Sequence, residues 1–242
     1  MKERHQFGGE PLADGEIAQT EPWCLNRPES VAYGKHEIDK LVAAGYDVIA
    51  FDGSGYKNFY ACFCPVCRER QAAYRRQHLE LTEAQAVRQC SEDRLVAFLT
   101  ELVQYAKLKK PSVKTTCHIW PYFAPDPFYG NRIPFDYCGQ TVSWFFLPHW
   151  PLDKVERGAA EVVGQAGRYC PQSVGAPFIA LCTLPPNERH RKSAERVREE
   201  IRLVKRAGAT AIQFAELGNI LHDPAVAKVV SEELGGTWTP AE

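Results

Sequence analysis

The chain of 242 residues has no apolar run near the roughly eighteen residues of a membrane-spanning helix. Its mean hydropathy is −0.35, which excludes a helical membrane protein. It opens on Met1-Lys2-Glu3-Arg4-His5-Gln6, charged and without the apolar core of a secretory leader, so a cytoplasmic address is expected. No excess charge of either sign is present. Lys and Arg number 29 against 30 Asp and Glu, a net charge of −1, so the basic footprint of a nucleic-acid binder is missing. No Gly-rich phosphate loop follows an expected strand, which argues against nucleotide binding. No H-E-x-x-H or H-x-H spacing occurs either, which weakens a zinc hydrolase. With 45% hydrophobic, 11% aromatic and 24% charged residues, the chain reads as a soluble globular protein rather than a disordered one.

The first 33 residues, rich in Gly, Pro and charge, read as an irregular segment, and residues 34–242 as one domain. Within it, helical periodicity is expected over Gly34–Ala44, Arg68–Gln77, Glu92–Lys109, Leu152–Ala166 and Ser193–Ala207. A last helix opens at Asp223-Pro224, an N-cap followed by Pro at the first helical position, and closes at Gly235. Five short β-rich runs alternate with these helices: Asp47–Phe51, Val113–Ile119, Thr141–Phe146, Pro177–Cys182 and Thr210–Ala215. One junction recurs. Ala44-Gly45 leads to Ile49 and Phe51 as Ala207-Gly208 leads to Ile212 and Phe214, each followed by a carboxylate, Asp52 or Glu216.

Alternating strand and helix point to parallel βα units. A closed (β/α)₈ barrel needs eight strands and typically about 250 residues. Five strands therefore read as a partial TIM-type (β/α) barrel, the C-terminal portion of one whose first two or three units are absent. An open doubly wound sheet is the alternative. A partial barrel has two unpaired edges, so a homodimer or a complementing chain is expected.

Nine cysteines are present, and three fall in Cys62-Phe63-Cys64-Pro65-Val66-Cys67. Three thiolates so close can converge on one ion, and tetrahedral zinc needs one more ligand. Cys24 in Pro22-Trp23-Cys24-Leu25-Asn26-Arg27-Pro28 is the best candidate, with His118 or Cys90 as substitutes. Four thiolates leave no open position, so the zinc would be structural. Ligands about 2.3 Å from one ion should bring the four sulfurs within about 4 Å of one another. Scattered cysteines in apolar stretches, such as Cys117 and Cys182, read as core filler.

A lone cysteine before a helix, a strand ending in an acidic loop, C-x-C-x-x-C and then an Arg- and aromatic-bearing helix resemble the middle of family 42 β-galactosidases and related barrel glycosidases. The likeness covers Trp23 to Tyr74. It implies a structural zinc beside the loop after the barrel's fourth strand and action on carbohydrate. Two departures stand against it. The family's Asn-Glu pair is replaced by Phe51-Asp52-Gly53-Ser54-Gly55. Its nucleophilic Glu has no counterpart in Leu181-Cys182-Thr183-Leu184-Pro185, where the nearest acid is Glu188.

In a barrel the chemistry sits at the C-terminal ends of the strands. Asp52 and Glu216 are the expected catalytic carboxyls, with Asp126 and Asp136 in reserve. His118, Trp120 and Trp144 are expected to bind substrate, since sugar rings stack on aromatic faces. Arg189-His190-Arg191-Lys192 reads as a solvated basic face. The leading reading is a glycoside hydrolase-like protein with structural zinc. A non-catalytic carbohydrate-binding or scaffold barrel that has lost the acid pair is its rival. A third is a zinc hydrolase using His118, Asp52 and Glu216 as ligands.

Overall fold

The computed structural model describes residues 24–52, 61–119, 132–166, 168, 170–181, 190–215 and 217–235, without the side chains of Asp52, Ile119, Leu217 and Asn219. Trp120, Asp126, Thr183, Glu188 and Glu216 lie outside the described residues, as do Cys182 and Arg189. In chain order the elements are α1 (Pro28–Ala43), β1 (Val48–Asp52), α2 (Pro65–Gln77), α3 (Glu83–Lys109), β2 (Lys114–Ile119), β3 (Tyr137–Ser143) and α4 (Leu152–Gln165). Then follow β4 (Val174–Gly175), β5 (Phe178–Ala180), α5 (Ala194–Arg206), β6 (Gln213–Ala215), α6 (Leu217–Leu221) and α7 (Pro224–Leu234). None of the described helices is long and apolar enough to cross a membrane.

The helix ends follow from local chemistry. α3 begins nine residues earlier than its apolar stripe suggests. Thr82 and Gln85 form a reciprocal capping box there, each side chain bonded to the other's backbone N–H. α1 begins at Pro28, whose missing N–H costs nothing at a first helical position. α1 and α5 end alike. Gly45 (φ 87°) and Gly208 (φ 90°) adopt the left-handed conformation. Tyr46 N–H then bonds Leu41 C=O, and Ala209 N–H bonds Val204 C=O, across five residues. The repeated Ala-Gly junction is thus the same helix-to-strand turn used twice.

All strand pairs are parallel, in the order β1-β2-β3-β5-β6, with β4 on β3 alone. Strand order follows chain order without a reversal. Most of the described core lies on one face, with a smaller cluster of Trp144, Phe178 and Ala180 on the other. Ile49, Cys117, Cys138, Val142, Ile179 and Leu181 pack with Ile38 of α1, Leu99 and Val103 of α3, Val155 of α4, Ile201 of α5 and Val229 of α7. A doubly wound sheet needs a reversal of strand order and helices on both faces. Among the described residues this sheet shows neither, so the chain is not doubly wound there.

Alternate residues, Thr116, His118, Gly139, Thr141, Phe178, Ala180, Gln213 and Ala215, occupy the other face. That face is concave. Gln213 Nε2 on β6 donates to Thr116 Oγ1 on β2 at 2.6 Å, although β3 and β5 lie between. In a flat sheet three strand spacings are roughly 14 Å, too far for a Gln and a Thr side chain to bridge. The sheet is therefore curled like a barrel wall, and the chain is a partial TIM-type barrel.

Candidate functional site

The four expected cysteine ligands come together. The sulfurs of Cys24, Cys62, Cys64 and Cys67 all lie within 4.8 Å of one another. Cys24 stands 3.4 Å from both Cys67 and Cys64. The set is slightly wider than the 4 Å expected from the sequence. All four are free thiols, and Cys24 rather than Cys90 or His118 completes the group.

Two short turns build this cluster. Cys24 C=O accepts from Arg27 N–H and from Ser30 Oγ, while Arg94 of α3 holds Leu25 C=O at 2.6 Å. On the other side Cys64 is the N-cap of α2, with Cys67 in its first turn. Gln71 Nε2 holds Cys62 C=O at 2.9 Å and Arg68 Nε holds Phe63 C=O at 2.8 Å. Burial pushes the Cys62 and Cys67 thiols up. Burial acts on Cys64 too, but the Cys67 backbone N–H and the neighbouring thiols outweigh it and hold Cys64 down at about 7. Four sulfurs on two rigid turns suit a soft, tetrahedral ion with no position left for substrate.

The second candidate region is the C-terminal end of the strands. Asp52 ends β1, and its backbone pairs in register with His118 of β2. His118 is 8% exposed. Its Nε2 lies 2.7 Å from Thr141 Oγ1 on β3, and its ring stacks on Phe178 of β5 with centroids 3.5 Å apart. Hydroxyl and ring together fix the imidazole on the concave face. Trp144 follows β3, is 8% exposed, and stacks on Phe145 at 4.8 Å in a cluster with Phe178 and Ala180. β6 ends at Ala215, in register with Ala180 of β5, immediately before Glu216.

Asp136 and Lys192 stand otherwise than the sequence suggests. Asp136 precedes β3, at the opposite end of the sheet from His118 and Thr141. It is tied to Lys107 (2.7 Å), Lys114 (3.1 Å) and the Thr115 N–H (2.7 Å), a structural clamp rather than a reserve acid. Lys192 is not part of a solvated face. It is 1% exposed and donates to Glu200 Oε2 at 2.8 Å and to Ser143 Oγ at 2.5 Å. Arg196 takes the other oxygen of Glu200 at 2.7 Å. A lysine in a run of basic residues carries no signal of this; its partner Glu200 is eight residues on, on the inner side of α5.

One residue at this end has no sequence signal at all. His149, beyond β3, is held below the usual histidine range by burial and by nearby Lys192 and Arg196. Its Nε2 is buried without a hydrogen-bond partner among the described residues.

No family model matches the chain, and neither does any curated protein sequence. Solved structures do. The glycoside hydrolase domain of PgaB (BpsB) from Bordetella bronchiseptica superposes with a TM-score of 0.57 at 13% identity, over 90% of this chain and 66% of that one. Bee venom hyaluronidase superposes with a TM-score of 0.53 at 14% identity, over 86% of this chain and 74% of that one. The chain thus spans about two thirds to three quarters of the length of these neighbours. At such identities the likeness is one of fold: a partial TIM-type barrel of the kind found in glycoside hydrolases.

Proposed function

We propose that the protein is a glycoside hydrolase-like barrel that acts on carbohydrate at the C-terminal ends of its strands, with a structural zinc held by Cys24, Cys62, Cys64 and Cys67. The observation that carries the first half is the curled, singly wound parallel sheet. Its concave face bears His118 locked between Thr141 and Phe178, and Asp52 pairs with it in register. The fold neighbours, one a glycoside hydrolase domain and one a hyaluronidase, support carbohydrate as the substrate class. The four converging thiols support the second half, and with it the likeness to family 42 around Trp23–Tyr74.

In this reading Asp52 and Glu216 are the two carboxyl groups of glycoside hydrolysis. One protonates the leaving oxygen, and the other attacks the anomeric carbon or activates water. A separation of about 5–5.5 Å would make the reaction retaining, and about 6.5–9.5 Å inverting. His118, Trp120 and Trp144 bind the sugar, while the zinc pins the turn before α1 to the loop after β1.

The test is a panel of nitrophenyl glycosides and of glycan polymers, hyaluronic acid included. Reducing-end release and binding are both measured for wild type and for His118→Ala. Turnover of one sugar class, weakened in the variant, supports the reading. Binding without turnover favours the non-catalytic carbohydrate-binding barrel. Neither binding nor turnover refutes both.

A further inference from the structure

The four sulfurs are held by more than their own turns. Cys62 accepts the backbone N–H of Cys64, and Cys64 accepts that of Cys67. These bonds come with a C-x-C-x-x-C turn entering a helix, whatever residues lie between. The third sulfur is served differently. Cys67 Sγ accepts from Asn26 Nδ2 at 3.1 Å, a side chain 41 residues away on the turn that carries Cys24.

The orientation of that carboxamide is informative. Asn offers one edge with two N–H donors and one with a carbonyl acceptor. A protonated Cys67 could give its S–H to Oδ1 or to Cys24 Sγ 3.4 Å away. The NH₂ faces the sulfur, and Oδ1 is buried with no donor among the described residues. A buried carbonyl left unpaired is unfavourable unless the opposite edge gains more. It gains most when the acceptor is an anionic sulfur, because a hydrogen bond to a charged group is stronger than a neutral one. The orientation at 3.1 Å suits a metal-bound sulfur at Cys67 and joins the two turns that carry the cluster.

We propose that Asn26 is a positioning residue of the metal centre, its carboxamide donating to the metal-bound sulfur of Cys67 and linking the Cys24 turn to the C-x-C-x-x-C turn. This rests on the cluster being a metal centre. Groups of this kind, one bond removed from the metal, typically set affinity by about 10–100-fold.

The experiment titrates the full-length, chelator-stripped chain with Zn²⁺ and with Co²⁺, whose sulfur-to-metal charge-transfer absorption reports the thiolate donors. Wild type, Asn26→Leu and Asn26→Asp are compared, the last keeping the shape while removing the N–H. Both variants should bind both ions about 10–100-fold more weakly and shift the Co²⁺ band, while their metal-free unfolding midpoints match wild type. If Asn26→Leu fails to fold, the isosteric Asn26→Asp decides. Variants with wild-type affinity and spectrum overturn the role of Asn26 and leave the metal centre standing. A loss of affinity matched by an equal loss of metal-free stability makes Asn26 a turn residue only and also overturns it. A wild-type chain that binds neither ion overturns the metal centre itself.

Discussion

Gly139 lies directly beneath the side chain of Gln213: a Cβ added to Gly139 would stand 2.7 Å from Gln213 Nε2. The bare backbone at this point lets the Gln213 carboxamide cross the concave face and reach Thr116 Oγ1 and Cys117 C=O on β2. The same Cβ would also meet the backbone oxygen of Ala176 at 2.8 Å. Gly139→Ala should therefore destabilise the protein by about 1–3 kcal/mol, the range for overpacking a filled interior. Adding Gln213→Ala removes one clash but not the backbone one, so the double variant should recover only part of the loss. Denaturant midpoints of the three chains read this directly.

Lys192 and Glu200 form an ion pair with no exposed side-chain surface. Burial pulls Lys192 below the ordinary lysine range, and Glu200 opposes that pull. Glu200→Gln leaves a buried ammonium beside Arg196 with no counter-charge and should cost about 3–5 kcal/mol. Replacing both, Lys192→Met with Glu200→Gln, should cost less than the sum of the singles, since the two act as one unit. Additive losses in a double-mutant cycle would contradict the pairing.

Asp136 gives the protein an acid-sensitive clamp. Burial alone would raise its pKa, but Lys107, the Thr115 N–H and Lys114 outweigh burial and hold the carboxyl at about 2. The unfolded chain therefore takes up this proton first as pH falls. The stabilisation is complete above about pH 4 and is lost as pH falls through about 2. Its side chain is under a fifth exposed, so solvent screens it little. Asp136→Asn should lower stability at pH 7 by about 2 kcal/mol and flatten the dependence below pH 4. Equal acid sensitivity in wild type and variant would contradict this.

Elements whose ends carry their own chemistry were legible in the sequence. Asp223-Pro224 opens α7, Ser193 caps α5, and the two Ala-Gly junctions close α1 and α5 in the same bond pattern. Boundaries set by long-range pairing were not. β3 begins at Tyr137, four residues before the expected run. Its register with Thr116 and Cys117 of β2 extends the strand into a segment of weak β signal, while Trp144–Phe146 fall beyond its end. The cysteine cluster was legible because three of its members share one short loop. Asn26 was not, since nothing in an Asn on a turn announces a sulfur partner 41 residues on. Lys192 misled for the same reason: burial is a tertiary property, and the partner on α5 is visible only once the helix packs.

The metal reading predicts close to one zinc per chain by elemental analysis of the purified protein. Cys24→Ser and Cys62→Ser should each abolish stoichiometric zinc, and chelation of wild type should lower its unfolding midpoint. Full zinc retention in Cys24→Ser would place the fourth ligand elsewhere.

The proposed carbohydrate hydrolysis by Asp52 with Glu216 is read out by kcat/KM for wild type and Asp52→Asn on the best glycoside of the panel. The amide preserves the strand end but can neither transfer a proton nor attack an anomeric carbon. The account predicts a loss of at least about 10²–10⁴-fold with zinc content and unfolding midpoint unchanged. Turnover within a few-fold of wild type in the folded, zinc-loaded variant would contradict it.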